Sequence, residues 1–440
     1  MFHLSLQTSR FLRMTRPLLH ALLALCAASG VAEARLEFGA SSGQADATVG
    51  CMFPLAGRAA IYGKDSVGGM KLALADLAAG TDVKHAPHLR VLVEDDRSKA
   101  SVGIRIAEDY IARDHVRFLC GIVSSGVAQA VSRVARSRRV IMIGTDHASS
   151  RLTMEDGHRY YFRVSSDTIA SMSAGAHYLA DLQKKNHWRR LAFIGPDYDY
   201  GHISWLDLHD GLLRLQVHYD LVGQFWPKLY EPDFSAYLLK LAQAKPDVVV
   251  TALWGADFVT FLKQAASTGL LNHARIANFD AGGNYDVLAS LGDKAPPGLI
   301  LSARHHNNWP DTARNRKFVD DFRKQEGRYP TYAAMGAYTG IMTIGNVLAH
   351  VGRDAGNDRI IQELENLHLS LPKDPPGEMS YIDPFTHQIM QAQAIGEVEP
   401  NTAYPPAQLM LGKWKVYTAA DLQPPVDLLR RRRLRADDPN

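Results

Sequence analysis

The sequence predicts an α/β protein made of two parallel sheets, each covered by helices on both faces. Three observations carry this reading. Thr48 to Gly69, TVGCMFPLAGRAAIYGKDSVGG, runs from a short apolar strand through a Pro- and Gly-containing turn into an amphipathic segment, the usual opening of a parallel α/β domain. Strand and helix patterns then alternate as far as residue 302, with helices long enough to serve as crossovers between parallel strands. The alternation restarts near residue 165, and 440 residues is too long for one core.

The strand TVGCMF leads into a helix over Val67–Ala79. Leu89–Glu94 (LRVLVE) is the next strand, and Ser98–Asp114 is a helix with Val102, Ile106, Tyr110 and Ile111 on one face. The strand Val116–Val123 ends at Ser124-Ser125-Gly126, ahead of a helix over Val127–Arg138. Strands follow at Val140–Gly144 and Tyr160–Val164. The second array begins with a helix over Ser166–Lys184 and the strand Arg190–Gly195, then a helix over Ser204–Leu215 and the strand Val217–Phe225. Phe234–Ala244 and Ala256–Thr268 read as helices, and Asp247–Leu253 and Arg275–Phe279 as strands. Two further helices are predicted at Asp311–Glu326 and Tyr332–Val351, and residues 371–408 read as loop with a little strand.

Composition is that of an ordinary globular protein, with 46% hydrophobic and 22% charged residues. The formal net charge of +3 gives no reason to expect a nucleic-acid partner, and the basic cluster Arg430–Arg433 with Arg435 reads as a solvated tail. Residues 1–34 have the form of an export signal: Arg10, Arg13 and Arg16 precede the apolar run Leu18–Ala28, and small residues allow cleavage after Ala34. Leu25 argues against lipid attachment at Cys26. The expected location is the periplasm. Cys51 and Cys120 fall in predicted strands, and both a bridge and two free buried thiols remain open. The eighteen histidines show no metal-ligand spacing, and no phosphate-binding loop, dinucleotide fingerprint or nucleophile elbow is present, so no metal, cofactor or catalytic residue is expected.

Four stretches carry a family resemblance: FPLAGRAAIYG with the segment after it, CGIVSSGVAQAV, YEPDFSAYLLKLAQAKPDVVV and GRYPTYAAMGAYTGIMTIGNVL. In that order the chain resembles the periplasmic substrate-binding proteins of ABC transporters, branched-chain amino-acid group, with the type I periplasmic binding fold. The resemblance implies two doubly wound parallel-sheet lobes joined by three crossover segments. One lobe would hold residues 35–165 and 303–370, the other 166–302 and 371–440. A small polar ligand, an amino acid or a related amide or acid, would sit between them and be delivered to an inner-membrane ABC permease by a monomeric receptor.

Binding candidates sit at predicted strand ends, where such sheets place ligands. Ser124 and Ser125 combine hydroxyls with the free N–H groups of a helix start, which suits a carboxylate, and one of them also suits an N-cap. The resemblance assigns this pair the ligand's carboxylate and assigns Asp280 its ammonium; an acidic side chain there can equally cap a loop. Asp146 and His147 stand where amino-acid-binding relatives have small residues, which puts a leucine-type ligand in doubt. Tyr62, Tyr200 and Trp254 are aromatics at three such loops and would wall a small solute. The same cleft could serve a sensor for a membrane signalling partner, and an exported α/β enzyme would need Asp146 and His147 to be catalytic.

Overall fold

The computed structural model describes residues 35–437 apart from 82, 84 and 297, with the backbone alone for 434–437. The export signal expected over 1–34 lies outside the described residues. Strands β1 (Leu36–Gly39), β2 (Ala47–Phe53), β3 (Leu89–Asp95), β4 (Phe118–Gly121), β5 (Ile141–Gly144) and β6 (Tyr161–Arg163) form a six-stranded sheet in the order β1-β3-β2-β4-β5-β6. Helices α1 (Ala60–Ala79), α2 (Ala100–Ala112) and α3 (Ser125–Arg138) connect its strands. Alternation along β2 explains why both faces are covered: Val49, Cys51 and Phe53 face one core, while Met52 faces another shared with Ile106, Tyr110 and Val131 of α2 and α3.

The second array begins with α4 (Thr168–Asn186), β7 (Arg190–Ile194), α5 (Asp199–Arg214), β8 (Asp220–Phe225) and α6 (Ser235–Ala244). It continues through β9 (Val248–Thr251), α7 (Gly255–Ala265), β10 (Arg275–Asn278), α8 (Tyr285–Leu291) and β11 (Ile300–Ser302). Leu191 and Phe193 pack with α4 and α5 on one face, and Ala192 and Ile194 lie in the core that holds Phe234, Phe258 and Leu262. Three more helices follow, α9 (Ala313–Glu326), α10 (Tyr332–Val351) and α11 (Asn357–Glu365). Helix α10 returns to pack on α1. Their close approach depends on Gly69, where an added Cβ would lie 1.9 Å from the carbonyl oxygen of Ala334.

The segment read as loop with a little strand is largely loop, and the strands within and beside it complete two sheets. β12 (His368–Leu369), β13 (Ser380–Ile382) and β14 (Ile389–Met390) make a small antiparallel sheet. β15 (Gln393–Pro400) and β16 (Leu409–Tyr417) extend the second sheet, whose order is β16-β15-β11-β10-β9-β7-β8. Both large sheets are therefore mixed at an edge, since β1, β15 and β16 run antiparallel. The short apolar runs and the many prolines between 371 and 408 hide these strands from a periodicity reading.

Several boundaries also differ. Helix α1 starts seven residues before the predicted Val67, and α5 starts at Asp199 rather than Ser204. The glycines after Tyr62 and Tyr200 therefore lie inside first helical turns, where the sequence suggested loop. Cys51 and Cys120 are direct partners on the parallel strands β2 and β4, with Cα atoms 4.3 Å apart, and are joined by a disulfide.

The basic C-terminal cluster is a solvated tail only in part: Arg430 and Arg431 are exposed, Arg432 is not. It lies in α12 (Val426–Asp437), where Arg432 is buried. Its guanidinium donates to Glu155 at 2.8 and 2.9 Å, to Ser150 at 3.1 Å and to Asp207 of α5 at 2.8 Å. Leu429, one turn earlier, packs with Met154 and with Ile169 of α4. The helix thus ties the loop after β5 to the helices of the second sheet, because a cation with carboxylates on both sides is worth more here than in water.

Two outcomes are expected. Arg432→Ala leaves Asp207 buried beside no cation and should lower unfolding stability by about 3 kcal/mol in urea titrations. Cys51 and Cys120 should resist alkylation in denaturant until reduced, and reduction should cost roughly 4 kcal/mol from the loop-closure entropy of their 69-residue separation.

Candidate functional site

The carboxyl ends of the two sheets face one another across a crevice bounded by Val123, Ser125 and Ala148 on one side and Tyr198, Tyr200 and Trp254 on the other. Arg304 and Tyr332 close it, and about 20 Å³ of free space remains, room for about one water. A much larger groove of about 930 Å³ lies beside Asp46, His88 and Arg353, near the amino ends of β2 and β3. It is the wrong end of a parallel sheet for a ligand, and the polar groups described next do not line it.

Each polar side chain is held by local structure. Asn278, the last residue of β10, donates to Leu253 O at 2.7 Å and accepts from the N–H groups of Ala281 and Gly282 at 3.1 and 2.8 Å. This clamps the turn that presents Asp280. Asp280 then accepts four hydrogen bonds: from Ser171 at 2.9 Å, from Tyr200 at 2.8 Å, and from Nε and Nη2 of Arg304 at 3.1 and 2.5 Å. Nη1 of Arg304 reaches Asp146 Oδ1 at 2.8 Å and also donates to the Asp146 carbonyl oxygen. The guanidinium lies 4.6 Å from the ring centre of Tyr332, a cation–π contact. Asp146 Oδ2 has no protein partner, and burial pushes the Asp146 carboxyl up to about 7 despite the nearby Arg304.

Of the residues expected at the site, Ser125, Tyr200 and Trp254 line the crevice, and Asp146 and Asp280 lie just behind it on Arg304. Ser124 occupies the N-cap position of α3 with no side-chain bond to the helix, so its hydroxyl is not used in capping. Ser125 accepts from the backbone N–H of Ser149 at 3.2 Å. Tyr62 is buried behind the crevice: it stacks on Tyr332 at 5.5 Å, meets Trp254 edge-on at 5.6 Å and donates to Asp286 at 2.9 Å.

His147 does not line the crevice. Both ring nitrogens are engaged within the first sheet's own loops, Nδ1 with Ile122 O at 2.9 Å and Nε2 with the Tyr161 hydroxyl at 2.6 Å. A carbonyl oxygen can only accept, so Nδ1 carries the proton and Nε2 accepts from Tyr161. Burial, with help from Arg163, depresses its pKa to about 3. Ile122 has φ +73°, a strained value for a β-branched residue, and its carbonyl also accepts from the His147 N–H at 3.2 Å. His147 therefore pins the bend at Ile122, two residues before Ser124.

Arg304, Tyr332, Tyr198 and Ser171 escaped the sequence reading. Tyr332 lies within GRYPTYAAMGAY and Tyr198 within PDYDYG, both already notable stretches. Arg304 follows β11, near the expected break at 302, and nothing in the local pattern marks it. Among the described residues no group of His, Cys, Asp and Glu is arranged to hold a metal ion.

Similarity to known proteins is extensive. The sequence model of the family described as periplasmic binding protein matches residues 46–403. Leu/Ile/Val-binding protein homolog 4 of Brucella melitensis is 23% identical over 299 residues, covering 66% of this chain and 69% of its own. A solute-binding protein of an ABC transporter from Rhodopseudomonas palustris, solved with 3,4-dihydroxybenzoic acid, is 25% identical with a TM-score of 0.73, over 84% of this chain and 97% of its own. An amino-acid ABC transporter substrate-binding protein from Pseudomonas fluorescens is 21% identical with a TM-score of 0.74, over 88% and 98%.

Buried neutral histidines set a pH dependence. His147 and His306 are depressed to about 3, and His158 and His305 to about 4, each chiefly by burial, from an ordinary 6.5. Below 6.5 the unfolded chain binds protons that the fold refuses, so this contribution is complete above 6.5 and is lost as pH falls towards 3. Buried carboxyls raised to about 6 or 7, those of Asp96, Asp146, Asp207, Asp257 and Asp286, act with the opposite sign over the same range. The test is therefore differential: His147→Gln should lose less unfolding free energy than the unaltered protein between pH 7 and pH 5 in chemical denaturation followed at both pH values.

Proposed function

Since the chain belongs to the periplasmic binding protein family, we propose that it is the extracytoplasmic solute receptor of an ABC transporter, capturing a small carboxylate-bearing solute between its lobes. Residues 35–165 with 303–370 make one jaw, and 166–302 with 371–440 the other. The protein works in the periplasm, is exported by residues 1–34, acts as a monomer and hands its solute to an inner-membrane permease. It performs no chemistry on the solute.

The observation that carries the reading is the convergence of the α3 start and the aromatic rim on one crevice at the carboxyl ends of both sheets. Ser124, Ser125 and the first N–H groups of α3 offer hydrogen bonds and a positive dipole end to a carboxylate. Tyr200 and Trp254 supply apolar area opposite, so a bound solute touches both jaws only when they are closed. That differential contact is what couples capture to hinge closure. The ligand of the Rhodopseudomonas palustris relative, an aromatic acid, and the branched-chain names of the Brucella relatives both fit a carboxylate at this position.

Calorimetry of the mature chain against amino acids, amides, ureas and small aliphatic and aromatic acids tests this. At least one carboxylate should give saturable heat. Ser125→Ala should weaken it about tenfold, the loss of one hydrogen bond to a charged group. Silence across the panel, or binding untouched by Ser125→Ala and Trp254→Ala, would refute the assignment.

A further inference from the structure

We propose that Arg304 sets the specificity of the cleft: its guanidinium occupies the place between Asp146 and Asp280 where a solute's ammonium would otherwise pair, so the cleft accepts carboxylates with an uncharged apolar body and rejects the matching α-amino acids. This rests on the reading of the crevice as the solute site.

The argument is one of valence and charge. An ionised carboxylate offers about four acceptor positions. Those of Asp280 are taken by Ser171, Tyr200 and two N–H groups of Arg304. Asp280 has no acceptor position left for an incoming N–H, and the one open position of the cluster, Asp146 Oδ2, is buried and does not line the crevice. Four of the five N–H groups of Arg304 are likewise spent, on Asp280 and on the side chain and carbonyl of Asp146. The fifth remains for an oxygen of the solute. Both carboxylates are fully buried, and Arg304 nearly so.

An ammonium entering beside this cluster would face a guanidinium at short range in a dry setting. Its interaction with Arg304 would be repulsive, and its desolvation would be offset only by reaching the buried Asp146 Oδ2, which the crevice does not present. A carboxylate at the α3 start meets no such penalty. The rest of the solute meets rings: Tyr198, Tyr200 and Trp254 on one side and Tyr332 behind. Flat apolar bodies suit that wall, so aryl and arylalkyl carboxylates are the class expected.

Matched pairs differing only in the amine test this by isothermal calorimetry on the mature chain: 3-phenylpropanoate against phenylalanine, and 4-methylpentanoate against leucine. The amine-free member should bind about 100-fold more tightly, the scale of an uncompensated like-charge contact. In Arg304→Ala or Arg304→Gln the ratio should collapse towards unity or reverse, because Asp280 regains free acceptor positions. Equal or tighter binding of the amino acid by the unaltered protein would overturn the proposal, as would a ratio unchanged in a folded Arg304 variant. If a variant does not fold, the unaltered protein's ratio alone decides. Failure of both members of both pairs overturns the proposal; heat from another carboxylate in the wider panel would then leave the receptor reading standing, and silence from the whole panel would remove both.

Discussion

A guanidinium buried between two carboxylates is the constraint around which the cleft is organised. Taking three ions out of water is unfavourable, and their attraction offsets that only where geometry is good and the remaining donors and acceptors are matched. At Arg304 they are. Asp280 is saturated, Asp146 accepts through both its side chain and its carbonyl, and Tyr332 covers the cation. Neighbouring features follow from keeping these ions in register. Asn278 clamps the Asp280 turn, and α10 packs so closely on the Asp146 loop that a Cβ at Gly336 would lie 2.0 Å from Thr145 O.

The same device recurs at the seam between the two sheets. Arg163 ends β6, is fully buried, and donates to Gln388, Ser149 O, Thr153 and Asp167. Gln388 in turn donates to Ser165 O at 2.7 Å, tying the crossover after β6 to the small sheet of β12–β14. Arg432 does the same from the C-terminal helix. Directional, charge-assisted bonds define a relative placement of segments more narrowly than apolar contact does, because their strength falls steeply with misalignment.

Much of the fold was legible because it rests on local patterns. The period-2 alternation of β2 and β3 and the apolar spacing of α2 and α10 are properties of short windows, and helix-length connections imply parallel strands. Two kinds of feature were not legible. The strands β12–β16 have weak, proline-interrupted patterns, and they exist because the edge of the second sheet and the crossovers give their backbone groups partners. The starts of α1 and α5 moved because each Tyr-Gly pair is accommodated in a first turn, with the ring buried against the opposite loop or ion cluster. At the site, Ser125, Tyr200 and Trp254 could be found by their position after strands. His147 could not be told apart from them, since its inward turn depends on Tyr161 and on a strained Ile122.

The sequence by itself determined that this is a two-array α/β protein of the periplasmic binding type, with serines and aromatics gathered at strand ends, because strand–turn–helix order places those loops on one edge. Only the tertiary structure decided which charges meet. Asp146, Asp280 and Arg304 are separated by up to 158 residues, Arg432 of the basic C-terminal cluster becomes a buried tie, and Cys51 finds Cys120 across neighbouring strands. Pairing of distant ions and thiols depends on sheet register and lobe packing, which no window of sequence contains.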